Sequence, residues 1–340
     1  MKLLSIAIPC YNSEGYMRNC IESLLPGGDN VEILIVDDGS VKDNTAAIAD
    51  EYEKNYPGIV RAIHQENKGH GGAVNTGIEK ATGLYFKVVD SDDHVDLKAF
   101  MKILETLKGL LEKGIVTDVL FSNFVYDKEG AKHKRTMRYP FVFPKHGLFT
   151  WAHMGVLGPT QYVLMHSIIY RTGLLRECGL KLPEHCFYVD NIYAFEPFLK
   201  VKNMYYLDVD FYRYYIGRSD QSVNEQVMLG RLDQQLHVNE LMIDFISEHY
   251  KELNGRKKAY MCHYLGIIMA VSSVLIIRSK NPEYIQKRNE LWHRLKRECP
   301  PIYRRIRYDL TGLVSNVENK TARDIVNAIY VVAQKLFGFN

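Results

Sequence analysis

Four short apolar runs, Leu3 to Ile8, Val31 to Val36, Ile59 to Ile63 and Leu84 to Val89, alternate with three segments of helical period near the start of the chain. This alternation restricts the fold more than any other feature. The first intervening segment, Glu14 to Leu25, sets Met17, Ile21, Leu24 and Leu25 on one helical face, and Asn44 to Tyr56 and Gly72 to Ala81 read as the second and third helices. Strands that are apolar throughout have no face to give to water, so they belong in a mainly parallel sheet covered by helices on both sides. Ligands of such sheets bind beyond the carboxyl ends of the strands. The polar residues directly after each strand are therefore the expected site: Tyr11-Asn12, Asp37-Asp38-Gly39-Ser40 and Asp90-Ser91-Asp92-Asp93.

The last of these groups has the sharpest chemistry. Three carboxylates at the end of a buried strand repel one another and raise each other's pKa unless a cation or hydrogen bonds compensate. The cluster thus reads as half of a metal site, and all-oxygen ligands favour Mg²⁺ or Mn²⁺. An ion held by one or two carboxylates leaves the rest of its shell for the phosphates of a nucleoside diphosphate. The bland alternative is a solvated acidic turn that caps the next helix at Asp96. Lys68 to Gly77 contains Gly69, Gly71, Gly72 and Gly77, a density that lets backbone N–H groups approach a phosphate at a helix N-terminus. That signal is weak alone, because it matches neither the P-loop nor the dinucleotide fingerprint.

Beyond a helix from Leu97 to Leu111, Val116 to Val125 reads as another strand, Tyr126 to His146 as a polar hairpin or loop, Asn191 to Val201 as a helix and Met204 to Tyr215 as an aromatic strand. From about Gly217 the chain looks helical, with segments Val227 to Tyr250, Arg256 to Arg278, Pro282 to Arg297 and Thr321 to Phe337. With 340 residues, the expected organisation is residues 1–217 as a catalytic domain, split into 1–115 and 116–217, followed by a helical region at 218–340. The six cysteines form no C-x-x-C pair, which fits reduced thiols in the cytoplasm. The first residues read as a core strand rather than a signal peptide, and the longest apolar run, Leu265 to Ile277, is short of the roughly 18 to 20 residues of a membrane span.

Taken in order, the strand ends read I-P-C-Y-N-S-E, V-D-D-G-S-V-K-D-N-T, N-K-G-H-G-G-A-V-N-T-G and D-S-D-D. Over roughly residues 1 to 220 this series resembles the family 2 glycosyltransferases, inverting enzymes of GT-A fold that move a sugar from a nucleotide-sugar to an acceptor. The resemblance implies an α/β GT-A domain, a Rossmann-like nucleotide-binding half with a mixed, mainly parallel sheet, followed by the helical region. It also implies that Pro9, Tyr11 and Asn12 line the base and ribose, that Asp38 rather than Asp37 accepts the ring N–H of uracil, and that Lys68, Gly71 and Asn75 face the donor. Relatives often carry Ala-Arg-Asn where this chain has Ala73-Val74-Asn75, so one basic contact is missing. Asp90 and Ser91 are then donor contacts, Asp92 the main metal ligand, and Asp93 a second ligand or a structural cap. Asp190, before a helix, corresponds to the general base, with Glu184 and Glu196 in reserve; the ordinary reading of Asp190 is an N-cap. Arg218, Gln221 and Ser222 look like the segment that closes over the diphosphate.

Between Arg278 and Tyr308 ten Lys or Arg stand against three Glu, with Trp292 and tyrosines among them. Such helices fit an anionic membrane surface, and equally a solvated face or an oligomer interface. The expected partners are a nucleotide-sugar, a carbohydrate or lipid-linked acceptor, a peripheral membrane contact at the inner face of the cell membrane and a homo-oligomer. A formal charge of +3 gives no reason to expect nucleic acid. A nucleotidyltransferase is the rival enzyme, but its basic glycine-rich loop would follow the first strand, where Cys10-Tyr11-Asn12-Ser13 stands. A non-catalytic nucleotide-sugar-binding protein is the other rival, and it would be expected to lose the acidic cluster or the base.

Overall fold

A computed structural model describes residues 2–317 apart from 129, 131–133, 146, 160, 218–220 and 222–223, and beyond them residues 319 and 324. Two units make up the chain, Met1–Val156 with Val163–Gly217, and Leu157–Tyr162 with Arg218–Asn340.

The first unit opens with β1 (Leu4–Cys10), α1 (Met17–Leu24), β2 (Val31–Asp37), α2 (Thr45–Asn55), β3 (Val60–His64), α3 (Gly69–Lys80) and β4 (Tyr85–Val88). The short β5 (His94–Val95) precedes α4 (Leu97–Glu112), and then come β6 (Val119–Lys128), β7 (Arg135–Met137), β8 (Leu148–Phe149), β9 (Ile168–Arg171), α5 (Thr172–Glu177), α6 (Asp190–Tyr193) and β10 (Met204–Ile216). Ten strands form one sheet in the order β3-β2-β1-β4-β9-β6-β10-β5, with β7 on β6 and β8 on β10. The first four strands pair in parallel, whereas β9 is antiparallel to both β4 and β6. The sheet is therefore mixed, and β1, β2 and β4 are buried along their whole length as their composition requires. Helix α4 begins on Asp96, whose side chain accepts from Ala99 N–H at 3.0 Å.

Several elements depart from the sequence expectation for local reasons. α3 starts at Gly69 instead of Gly72. The helix expected over 191–201 is only the single turn α6, followed by a 3₁₀ turn Glu196–Leu199 that Pro197 imposes. The proposed helix at 227–250 is divided at Gly230 into α7 (Glu225–Leu229) and α8 (Leu232–Glu248).

In the second unit, α9 (Gly255–Ser279), α10 (Pro282–Glu298), α11 (Pro300–Arg307) and α12 (Leu310–Ser315) follow α8. α9 is long and apolar enough to cross a membrane, yet 78% of its apolar window is buried, and it packs against α8, α10, α11 and α12 as the core helix of this unit. Much of the basic excess is consumed internally. Arg278 pairs with Glu225, Lys287 with Asp233 and Glu283, and Arg294 with Asp244 and Glu298, while Arg288 is fully buried and donates to the Val317 carbonyl at 2.8 Å. The free cationic face is therefore smaller than the count of charges suggests. The helix expected at Thr321 to Phe337 lies, but for Asp324, outside the described residues.

Candidate active site

Parallel pairing brings the ends of β1 and β2 level at Cys10 and Asp37, and β4 runs beside β1 up to Ala7 and Val88. The three loops that follow are tied together. Ser13 Oγ lies 2.9 Å from Ser91 Oγ, and the Asn12 N–H donates to Ser40 Oγ at 2.9 Å. Asn12 adopts φ +50, a conformation asparagine tolerates better than most side chains, and its Oδ1 accepts from Lys42 N–H. Tyr11 is 49% exposed, a ring presented to solvent at the sheet's mouth. Pro9, expected to line the donor, is buried inside β1, paired with Val36 just past the last β1–β4 pair, where a missing N–H breaks no bond to β4.

The Asp37-Asp38 pair is turned inward. Asp37 accepts from Ser40 N–H and faces His64 Nδ1 at 3.0 Å. Asp38 accepts from the N–H groups of Lys68 and Gly69, both at 2.8 Å, and from Gln65 Nε2 at 2.6 Å. It is 3% exposed and satisfies the first turn of α3 from 30 residues away. A base-reading role is thus left to whatever lone pair remains. Gly69, Gly71 and Asn75 also have structural partners: a Cβ on Gly71 would sit 2.3 Å from the Pro183 carbonyl oxygen, and Asn75 both donates to the Leu182 carbonyl (2.8 Å) and accepts from its N–H (2.9 Å). With His185 N–H donating to the Lys68 carbonyl at 2.8 Å, these contacts fasten segment 182–185 to α3. The Lys68 ammonium reaches Glu184 at 3.8 Å. Gly71→Ala is therefore expected to push this segment off α3 and to cost about 1–3 kcal/mol, read as a lower midpoint in denaturant unfolding.

The same segment delivers Asp190. His185 and Tyr188 both have positive φ, +51 and +66, so the chain here is held in a conformation that non-glycine residues rarely adopt. It emerges at α6, whose first residue is Asp190. Burial, with help from the Asp90 charge and against the attraction of His70, raises the Asp190 carboxyl to a pKa of about 6.

Asp90 and Asp93 form the other side. Asp90 Oδ1 is 2.8 Å from His70 Nε2, and the Asp90 N–H donates to the Tyr212 hydroxyl. Asp93 is fully buried, accepting from Tyr212 O–H at 2.6 Å and from Tyr215 N–H at 2.8 Å. Burial, with Asp92 and Asp90 beside it, pushes the Asp93 carboxyl well above the usual range. Burial also works to raise Asp90, but its bond to His70 prevails and leaves it below that range. Asp90, Asp93 and His166 bring ligand atoms within 4.8 Å of one another. Asp92, the expected main ligand, is not in that group, although its charge acts on both Asp93 and His70. The donor chemistry fits a divalent ion. His166 is 7% exposed with Nδ1 lacking a hydrogen-bond partner, burial lowers its pKa to about 4 and so keeps it in the neutral, ligating form, and the crowded carboxylates call for positive charge.

Sequence reasoning places His70 near candidate ligands but gives it no role, and it does not find His166, Lys87 or Tyr212. The available signal was a charged residue, Lys87, inside an otherwise apolar strand three residues before an acidic cluster. Of the segment expected to close over the diphosphate, Arg218 and Ser222 lie outside the described residues, and Gln221 is buried in the second unit.

Residues 5–169 match the model for glycosyl transferase family 2. The chain is 30% identical over 226 residues to the uncharacterized glycosyltransferase YibD of Escherichia coli (strain K12), covering 64% of this chain and 63% of that protein. It is 39% identical over 127 residues to the putative glycosyltransferase EpsH of Bacillus subtilis (strain 168), covering 37% and 35%. The aligned region thus spans less than two thirds of the length of these curated relatives. Among solved structures, the 1–349 fragment of S. aureus TarS in complex with UDP-GlcNAc is similar in fold, with TM-score 0.54 and 20% identity over 90% of each chain.

Proposed function

We propose, from the match of residues 5–169 to glycosyl transferase family 2, that the chain moves a sugar from a nucleotide-sugar to a hydroxyl acceptor with inversion at the anomeric carbon. The observation that carries the reading is an Asp190 carboxyl, its pKa raised by burial and by the charge of Asp90, together with the Asp90–Asp93 cluster that follows the parallel strands β1, β2 and β4. The S. aureus structure holds UDP-GlcNAc, and we take UDP as the nucleotide here too. Tyr11, the exposed ring at the end of β1, stacks on the base. Asp38 acts mainly by holding the α3 N-terminus.

Asp190 takes the proton from the acceptor hydroxyl as that oxygen attacks the anomeric carbon. The bond from this carbon to the diphosphate oxygen breaks on the opposite face, and the electron pair leaves with the nucleotide. Asp90, Asp93 and His166 would hold Mn²⁺ or Mg²⁺, and the bound ion would neutralise the charge that develops on the diphosphate. The mixed oxygen and nitrogen set favours Mn²⁺. We take the acceptor to be a carbohydrate or lipid-linked sugar of the cell envelope, on the cytoplasmic side.

A base works only in its ionised form. With Asp190 at about 6, kcat/KM is expected to fall tenfold per pH unit below that value and to level off above it. A panel of UDP-sugars assayed for UDP release with Mn²⁺ across this range tests both activity and profile. A profile flat down to pH 5 would remove Asp190 as the titrating base, and no transfer or hydrolysis with any nucleotide-sugar would sink the reading.

A further inference from the structure

Lys87 has no exposed surface and lies within β4, inside the sheet and not at its mouth. An ammonium in a central strand of a buried sheet is strongly unfavourable unless every N–H is satisfied. Here all three directions are used. Nζ donates to the carbonyl oxygens of Met165 and His166, each at 2.8 Å, and stands 4.8 Å from the centre of the Tyr212 ring. The two carbonyls belong to the 3₁₀ turn Met165–Ser167, which leads into β9.

That turn carries His166. Its ring stacks on Tyr212 at 4.5 Å, lies 4.6 Å from Tyr214 and meets Phe124 edge-on at 5.5 Å. Aromatic packing fixes the plane of the imidazole, and Nδ1 makes no hydrogen bond that would hold the ring within that plane. The backbone from which the ring hangs is what Lys87 grips. Tyr212 completes the assembly, since the ring under the ammonium belongs to the residue whose hydroxyl bridges Asp90 and Asp93.

We propose that Lys87 is a positioning residue for the ion site: its ammonium clamps the Met165–His166 backbone so that the His166 imidazole stands as a nitrogen donor beside Asp90 and Asp93. The proposal rests on the reading that a divalent ion accompanies the donor. Lys87 itself touches neither ion nor sugar. A lysine kept only to fill the core would stabilise the fold without affecting the ion.

Calorimetric titration of the full chain with Mn²⁺, without nucleotide, separates these cases. Lys87→Met, which keeps the length of the side chain and removes the donors, and His166→Asn are each expected to weaken Mn²⁺ binding by about 10- to 100-fold. The double variant is expected to be no weaker than the worse of the two, because both remove the same donor. A Lys87→Met protein that is less stable but binds Mn²⁺ within about three-fold of the parent would overturn the proposal, as would the same result for His166→Asn or full additivity in the double variant. If Lys87→Met does not fold, Lys87→Gln, which keeps one donor arm without charge, is measured by the same criterion. A parent that binds no Mn²⁺ would remove the ion reading and this proposal together, whereas a parent that binds it while the variants are unaffected removes the proposal alone.

Discussion

Replacing Asp190 by asparagine is expected to lower turnover by about 10²- to 10⁴-fold while leaving the fold and the affinity for UDP near those of the parent. Asparagine is nearly isosteric and caps helices about as well as aspartate, so whatever Asp190 contributes to the start of α6 is largely kept. What is lost is the proton acceptor. Steady-state assays alongside calorimetry with UDP separate the roles, because a base acts on kcat and a structural residue acts on stability. The position of the carboxyl supports the larger effect: it lies near His70 and Asp90, and its pKa of about 6 leaves it ionised at neutral pH yet basic enough to take a proton. Turnover within a few-fold of the parent would move attention to Glu184, which is exposed and faces Lys68, or Glu196, at the 3₁₀ turn after α6.

Asp90→Ala should have the next largest effect, a loss of about 100-fold in Mn²⁺-dependent UDP affinity. It removes a carboxylate from the group that could hold the ion and takes from the His70 ring its hydrogen-bond partner. Asp92→Ala is expected to cost less than about 10-fold, because Asp92 lies outside that group and acts on it through charge. Both are measured by titrating UDP at fixed Mn²⁺ and again with chelator. An Asp92→Ala loss equal to or greater than that of Asp90→Ala would return the ion to Asp92, where the D-S-D-D motif alone would put it.

The parts of the site that could be read from the chain are those built by local periodicity. β1, β2 and β4 are largely apolar, and their polar ends fall where parallel strands place ligands, so Tyr11, Asp38 and Asp90 stand out from the sequence as candidates. The roles of Asp38, Gly71 and Asn75 were less legible because their partners are remote. Asp38 caps a helix that begins 31 residues later, at Gly69, whose φ of +73 and neighbouring glycines read locally as a loop. Gly71 and Asn75 look like a phosphate cradle until the 182–185 segment is seen lying against them. His166 sits in Val163-Leu164-Met165-His166-Ser167-Ile168-Ile169-Tyr170, which reads as core, and it is indeed buried. Nothing in its neighbourhood along the chain points to the carboxylates it meets.

The contacts of Lys87, Asn75 and Asp93 span 78, 107 and 122 residues respectively. Each closes a loop so long that its entropic cost must be met before the contact gives anything back. During synthesis, His70 is made before the Asp90 it bonds, whereas Asp93 is made long before its donors, because Tyr212 and Tyr215 lie on β10, the last strand of the sheet in chain order. A nascent chain that has not yet reached β10 therefore carries a self-repelling cluster with no donors for Asp93. Insertion of β10 between β5 and β6 is consequently the step that brings Tyr212 and Tyr215 to Asp93.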